Sequence, residues 1–321
     1  MWRGSARPLV ESAMLATLSA VLMLLAFYTP VIGMAIGLVS PLPVAIAVIR
    51  HGVKWGLLAS IVGALVLFPF MGWLTAASLW IGFGWVGLVF GYSVRRRYSY
   101  TAVLFLTSVA VVVGALAGLL ATYLISGLTP LGVFEQTFEA FRAGMELSKK
   151  IIGDSPQLQE MIRLLTDRDA LLRVIPGSFV LAGILMSYIN VEVMRRFLPR
   201  FGYDLEPLPP FRRWFLPEII AWVGLLSFVA LVFLGTRPEQ DVLSSFAQNV
   251  YMVASMLGTL QVFSLIVYFM LGAGYSKAMV GLGVLILLNL TATSPIFSLL
   301  TPIFGMMDML LDFRRIRTGR S

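Results

Sequence analysis

Apolar runs of about 20 residues recur along this chain, and nearly all of its charge lies in the short segments between them. Runs of that length match the hydrocarbon thickness of a bilayer. A chain built from them must satisfy its backbone hydrogen bonds internally, which leaves helices as the natural solution. Hydrophobic residues occupy 59% of the 321 positions and charged residues 12%, with a mean hydropathy of +0.89. A soluble domain of this size cannot hide so much apolar surface. The expected fold class is all-α, a polytopic integral membrane helical bundle with eight to ten transmembrane segments.

The basic, proline-rich stretch 195–217 divides the chain. It carries five arginines against Asp204 and Glu206, and the four prolines from Pro199 to Pro210 exclude a regular helix. Further basic clusters stand at Arg50/Lys54, at Arg95, Arg96 and Arg97, at Lys277 and in the tail from Arg314. Most of the 24 lysines and arginines therefore fall on alternate connections, as the positive-inside rule requires of cytoplasmic loops. This predicts a multi-pass protein of the bacterial cytoplasmic (inner) membrane with both termini cytoplasmic. The net charge of +8 reads as an orientation signal rather than a nucleic-acid surface. The expected organisation is a six-helix membrane unit over 1–198 and a cytoplasmic hinge over 199–216. C-terminal membrane helices follow over 217–321, ending in the basic tail. A polar amphipathic hairpin, 127–166, would lie on the outer side.

Several motifs stand out along the chain. The first helix, 9–28, places Ala16 and Ala20 one turn apart, a spacing that permits close helix approach and equally serves ordinary bundle packing. The second segment, 30–49, is interrupted by Pro30, Gly33, Gly37, Pro41 and Pro43, and reads either as the wall of a pocket or as a kinked helix. Helices three and four meet at a corner, 68–73, and helix four is rich in aromatic residues and glycine. Gly87-x-x-x-Gly91 and Gly114-x-x-x-Gly118 are close-packing motifs. His51, the sole histidine, reads as a loop residue. Glu192 is placed to pair with Arg195 and Arg196. Asp308 and Asp312 share a helical face beside the basic tail, and read as a neutralised helix end before an ion-coupling pair.

Chemistry is conspicuous by omission. There is no cysteine, Walker loop, Rossmann fingerprint, zinc-protease motif or nucleophile elbow. No enzyme, cofactor or metal site is expected. Interrupted helices near aromatic and hydroxyl side chains favour a small-molecule pocket on the outer side, lined by Tyr28, Trp73, Thr75, Ser78 and Trp80. Trp80 could stack on a ligand, although taken alone it reads first as a lipid or bundle contact. The other reading is a membrane scaffold or regulatory subunit that binds proteins and transports nothing.

The first six helices, with Ala16-x-x-x-Ala20 and the broken second segment, resemble the substrate-binding components of energy-coupling factor transporters. The whole chain, including its terminal Gly-Met-Met-Asp-Met-Leu-Leu-Asp-Phe-Arg-Arg, resembles the YybS-like family of bacterial membrane proteins. The first resemblance implies a bound small molecule, a membrane coupling protein that contacts Ala16 and Ala20, and a separate ATPase. Membrane lipids are the remaining partner.

The charge pattern yields a test of orientation. The chain has no native cysteine, so single cysteines report cleanly. Cysteine at Arg96 or Gly202 is expected to resist a membrane-impermeant thiol reagent in intact cells, and cysteine at Gln157 to react. The reverse pattern would invert the topology.

Overall fold

The computed structural model describes residues 6–136, 138–139, 143–144, 168–234 and 242–318. Most of the expected outer hairpin, with Gln157 and Thr166, and the connection at 235–241 lie outside the described residues. All described elements are helical. They divide into two units, Met1–Thr166 with Ala182–Pro207, and Asp167–Leu181 with Leu208–Ser321.

The first unit opens with α1 (Ala6–Tyr28), α2 (Pro30–Val39), α3 (Leu42–His51) and α4 (Val53–Leu79). A π-helical turn (Trp80–Gly84) leads into α5 (Trp85–Arg95), followed by α6 (Tyr100–Ser126). The next helix, α7 (Arg168–Phe197), contributes its second part to this unit. The broken second segment explains the packing. Its two ten-residue pieces span only about 15 Å each, too little to cross a bilayer. The second piece, α3, is apolar all round and buried at every position from Leu42 to Ile49. Helices α1, α4 and α5 pack around it.

Close approach to α3 requires small residues. A Cβ added to Gly87 would lie 2.5 Å from the Pro41 carbonyl oxygen, and one added to Gly91 would lie 2.6 Å from that of Ala45. On the other side Ala16 packs with Ala47 and Ala59, while Ala20 joins Met23, Leu67 and Ala76. Both alanines are fully buried. Their small side chains are used inside the unit, and the exposed face of α1 consists instead of Leu9, Val10, Met14, Leu18, Val21 and Leu25. The Gly114/Gly118 pair divides. Gly114 faces the Ile81 carbonyl at 3.1 Å from its would-be Cβ, whereas a Cβ added to Gly118 would meet no neighbour within 4 Å among the described residues.

Each break in this unit is closed by a neighbouring side chain. At the α2–α3 junction the Ser19 hydroxyl donates to the Ser40 carbonyl (3.3 Å), and the Ser40 hydroxyl donates to Gly37 (2.8 Å). At the C-terminus of α3, Arg95 Nη1 donates to the carbonyls of Val48 and Ile49, both at 3.1 Å. The Val48 carbonyl also accepts from the Gly52 amide (2.8 Å), and the Ile49 carbonyl is one of those a helix end leaves without an intrahelical partner.

The second unit holds the first part of α7, then α8 (Glu218–Leu234), α9 (Val242–Gly272), α10 (Lys277–Thr293), α11 (Pro295–Leu311) and α12 (Phe313–Thr318). Pro176 lies inside α7 and has no N–H to donate. One turn of that helix is completed by Asn249 of α9. Its Nδ2 donates to the Arg173 carbonyl (2.6 Å) and to its own Ser245 carbonyl (2.7 Å), while its Oδ1 accepts from Gly177 N (2.7 Å). The carboxamide thus stands between the donor and acceptor that an uninterrupted helix would pair. The bridge lies within the second unit, which includes Asp167–Leu181. Helices α9 and α11 touch backbone to backbone, a Cβ on Gly258 falling 2.6 Å from the Pro302 carbonyl oxygen.

Among the described residues, five helices are long and apolar enough to cross a membrane, and α10 with α11, bent by 120°, makes a sixth if it is one broken span. Against the eight to ten segments expected, the second apolar run is divided into the short helices α2 and α3, and the described part of α8 is 17 residues long. The charge-bearing ends match expectation more closely. Glu192 pairs with Arg195 (2.7 Å) and Arg196 (3.5 Å). His51 is the last residue of α3 rather than a loop residue, and its Nε2 lies 2.8 Å from Glu11, which also binds Arg7 and Arg50.

The glycine contacts make a discriminating prediction. Gly91→Leu is expected to cost about 1–3 kcal/mol by overpacking against an immovable backbone. Gly118→Leu is expected to leave the melting temperature in detergent unchanged.

Candidate functional site

The five sequence-predicted site residues all belong to the first unit, where a helix break brings part of the set together. Helix α4 contains Pro69 and leaves helical geometry at Gly72 (φ 76°, ψ 161°), a left-handed conformation that suits glycine. The break lies within the corner predicted at 68–73. It frees the Phe70 carbonyl, which would otherwise accept from the helix four residues on. The Tyr28 hydroxyl donates to that carbonyl at 3.1 Å, tying the end of α1 to the corner. Tyr28 is 61% exposed and Trp73 is 56% exposed, with Phe68 and Phe70 exposed beside them.

Thr75 and Ser78 are half-buried on the following turns. Trp80 lies in the π-helical turn, also half-buried, and its indole N–H donates to Ser60 Oγ at 3.0 Å. Ser60 in turn donates to the Leu57 carbonyl at 3.0 Å. The Trp80 N–H is therefore engaged within the protein, and the ring face is what remains for stacking. Beneath the corner, Ala20, Met23, Leu67 and Ala76 form a buried apolar layer with Leu24, Met71 and Phe83 packed against it. The structure thus joins Tyr28 to the corner through Phe70, and holds Trp80 deeper through Ser60. None of the five residues carries a formal charge.

A second polar centre, in the C-terminal unit, was not singled out from the sequence as a site. Asp308 is fully buried in α11. Gln261 of α9 donates through Nε2 to Asp308 Oδ2 at 2.6 Å and accepts from Leu216 N at 3.1 Å. The Ser264 hydroxyl reaches the carbonyls of Phe211 (2.6 Å) and Trp214 (3.0 Å) in the 3-10 turn before α8. Arg314 of α12 closes the group: Nη2 lies 3.0 Å from Ser264 Oγ and 3.8 Å from Asp308 Oδ2, and Nη1 donates to the Arg212 carbonyl at 3.0 Å. Burial pulls the guanidinium's pKa down, and the carboxylates of Asp308 and Asp312 act in the opposite sense. The neutralised helix end expected for Asp308 is thus made specific by one arginine. Gln261 and Ser264, three residues apart on one face of an apolar helix, are the signal that would have located the cluster.

Over residues 17–309 the chain matches the family described as "Predicted membrane protein (DUF2232)". It is 26% identical over 314 residues to the protein named "Uncharacterized protein YybS" of Bacillus subtilis (strain 168), covering 94% of this chain and 96% of that relative. No solved structure matches the chain.

The corner's two cross-contacts are open to measurement. Tyr28→Phe and Trp80→Phe each remove one hydrogen bond and are each expected to cost about 1 kcal/mol in detergent unfolding. Loss of neither would mean that both polar tips are already satisfied by solvent.

Proposed function

The chain belongs to the family described as "Predicted membrane protein (DUF2232)", and on that premise we propose that it is a small-molecule-binding, transporter-like membrane component that needs a separate energising partner. The observation that carries this reading is the Gly72 break with Tyr28 bound to the freed Phe70 carbonyl. Discontinuous helices with aromatic and hydroxyl groups gathered at the break are where membrane transporters place their substrates. The substrate class that suits the corner is an uncharged molecule with an apolar or aromatic face.

The binding surface is Tyr28, Trp73, Thr75, Ser78 and Trp80, with Trp73 and Trp80 as stacking faces. The likeness of the first six helices to substrate-binding components of energy-coupling factor transporters supports the same role. It implies a membrane coupling protein and an ATPase as partners, because the sequence contains no nucleotide-binding motif. With Ala16 and Ala20 buried, a coupling protein would meet the exposed apolar face of α1, around Met14 and Leu18. The charge pattern supports residence in the bacterial cytoplasmic membrane with both termini inside. The role requires no catalysis by this chain.

Native mass spectrometry of gently purified protein tests the reading. The expected result is a co-purifying adduct of constant mass, smaller than a lipid, that is lost in Trp73→Ala and Trp80→Ala. Lipid adducts alone, unchanged by either substitution, would contradict it and favour a scaffold that binds proteins.

A further inference from the structure

A guanidinium is recognised by acceptors set around its planar fork, with an aromatic face completing the enclosure. The second unit contains such an enclosure. Ser264 Oγ and the Asp308 carboxylate face Nη2 of Arg314, the Arg212 carbonyl faces Nη1, and the Tyr268 ring centroid lies 5.4 Å from the guanidinium carbon. The enclosure shares no residue with the Tyr28–Trp80 corner.

The walls and the occupant come from different elements. The walls are α9, α11 and the 211–214 turn, and they hold one another without α12. Gln261 fixes Asp308 and the Leu216 amide, Ser264 fixes the carbonyls of Phe211 and Trp214, and Gly258 sits directly against Pro302. The occupant arrives on a six-residue helix, α12, joined to α11 through Asp312 in a left-handed conformation (φ 47°). A helix that short does not persist by its own hydrogen bonds. It is held by what it docks into: the Arg314 contacts, the Phe313 amide on Asp308 Oδ1 (3.1 Å) and a stacked pair, Phe304 and Phe313, at 5.5 Å. If α12 leaves, the walls remain, and they present the Asp308 carboxylate, held by Gln261, without its Arg314 partner. Such a site draws in a replacement cation, and its fork-shaped acceptor set selects a guanidinium over a compact ammonium.

We propose that the Asp308–Ser264–Tyr268–Arg212 enclosure is a guanidinium-binding site that the chain's own C-terminal helix occupies and keeps closed. Arg314 is then a tethered plug, and a ligand bearing a guanidinium group opens the tail by competing for its place.

Chemical rescue and tail release test this on the full chain in detergent, with methylguanidinium as the probe. Arg314→Ala is expected to lower Tm by roughly 5 °C. Methylguanidinium is expected to restore most of that loss saturably at roughly 1–10 mM, with no comparable rise in the unsubstituted protein and none from methylammonium. A second arm does not depend on that variant folding. A spin label on Arg315→Cys, in the otherwise cysteine-free chain, is expected to become mobile as methylguanidinium is added and to be mobile from the outset when Asp308→Asn is combined with it. The proposal is overturned if methylguanidinium raises both proteins equally or neither. It is overturned likewise if the label's mobility ignores the probe.

Discussion

Backbone groups released at membrane depth find no water, so each helix break must be closed by the protein itself. This constraint organises both units. Asn249 occupies the gap at Pro176, offering one donor and one acceptor to the Arg173 carbonyl and the Gly177 amide. Ser19 serves the Ser40 junction, Arg95 serves the end of α3, and Tyr28 serves the carbonyl freed at Gly72. In each case the side chain comes from a different helix. The bonds that repair the backbone are therefore also the bonds that fix which helices are neighbours.

The repaired breaks differ in what they leave over. At Ser40 the surroundings are filled by α3 and its close-packed neighbours, whereas Arg95 caps α3 from an exposed position. At Gly72 the repairing hydroxyl is exposed, with Trp73 and Phe70 beside it. The same physics thus makes one interrupted segment into a core and leaves exposed aromatic side chains at the other. In the C-terminal unit a polar group of a third kind appears, one in which buried charge is matched by an arginine from outside the bundle. Burying Asp308 without that partner would cost several kcal/mol, which makes the short tail helix energetically important despite its length.

Much of this was legible in the residues. Length and hydropathy of the runs are enough for an all-α membrane bundle, and the 68–73 corner was marked by Pro69 and Gly72. Gly87 and Gly91 advertised their close approach, here onto α3. What could not be read was partnership. Ala16 and Ala20 have the spacing of a surface motif, yet they are buried, because spacing specifies that a helix can be approached and not by what. Gly118 completes a motif with Gly114, but a Cβ there would meet no neighbour within 4 Å among the described residues. Asn249 and Gln261 showed only that α9 is polar, since their partners are a backbone gap 72 residues away and a carboxylate 47 residues away. Long-range pairing of this kind leaves no periodicity in a single sequence.

The Asn249 bridge tests the governing constraint most directly, through hydrogen exchange at the Gly177 amide measured by NMR in lipid nanodiscs. Removing the Asn249 acceptor from this buried donor costs about 1–3 kcal/mol, so Asn249→Leu is predicted to speed exchange at the Gly177 amide by roughly 10–100-fold. Amides in the middle of α6, far in sequence from any repaired break, are predicted to keep their protection. Unchanged exchange at Gly177 in a folded Asn249→Leu protein would contradict the account. It would show that α7 closes its own gap at Pro176 and that the bridge follows from the packing instead of setting it.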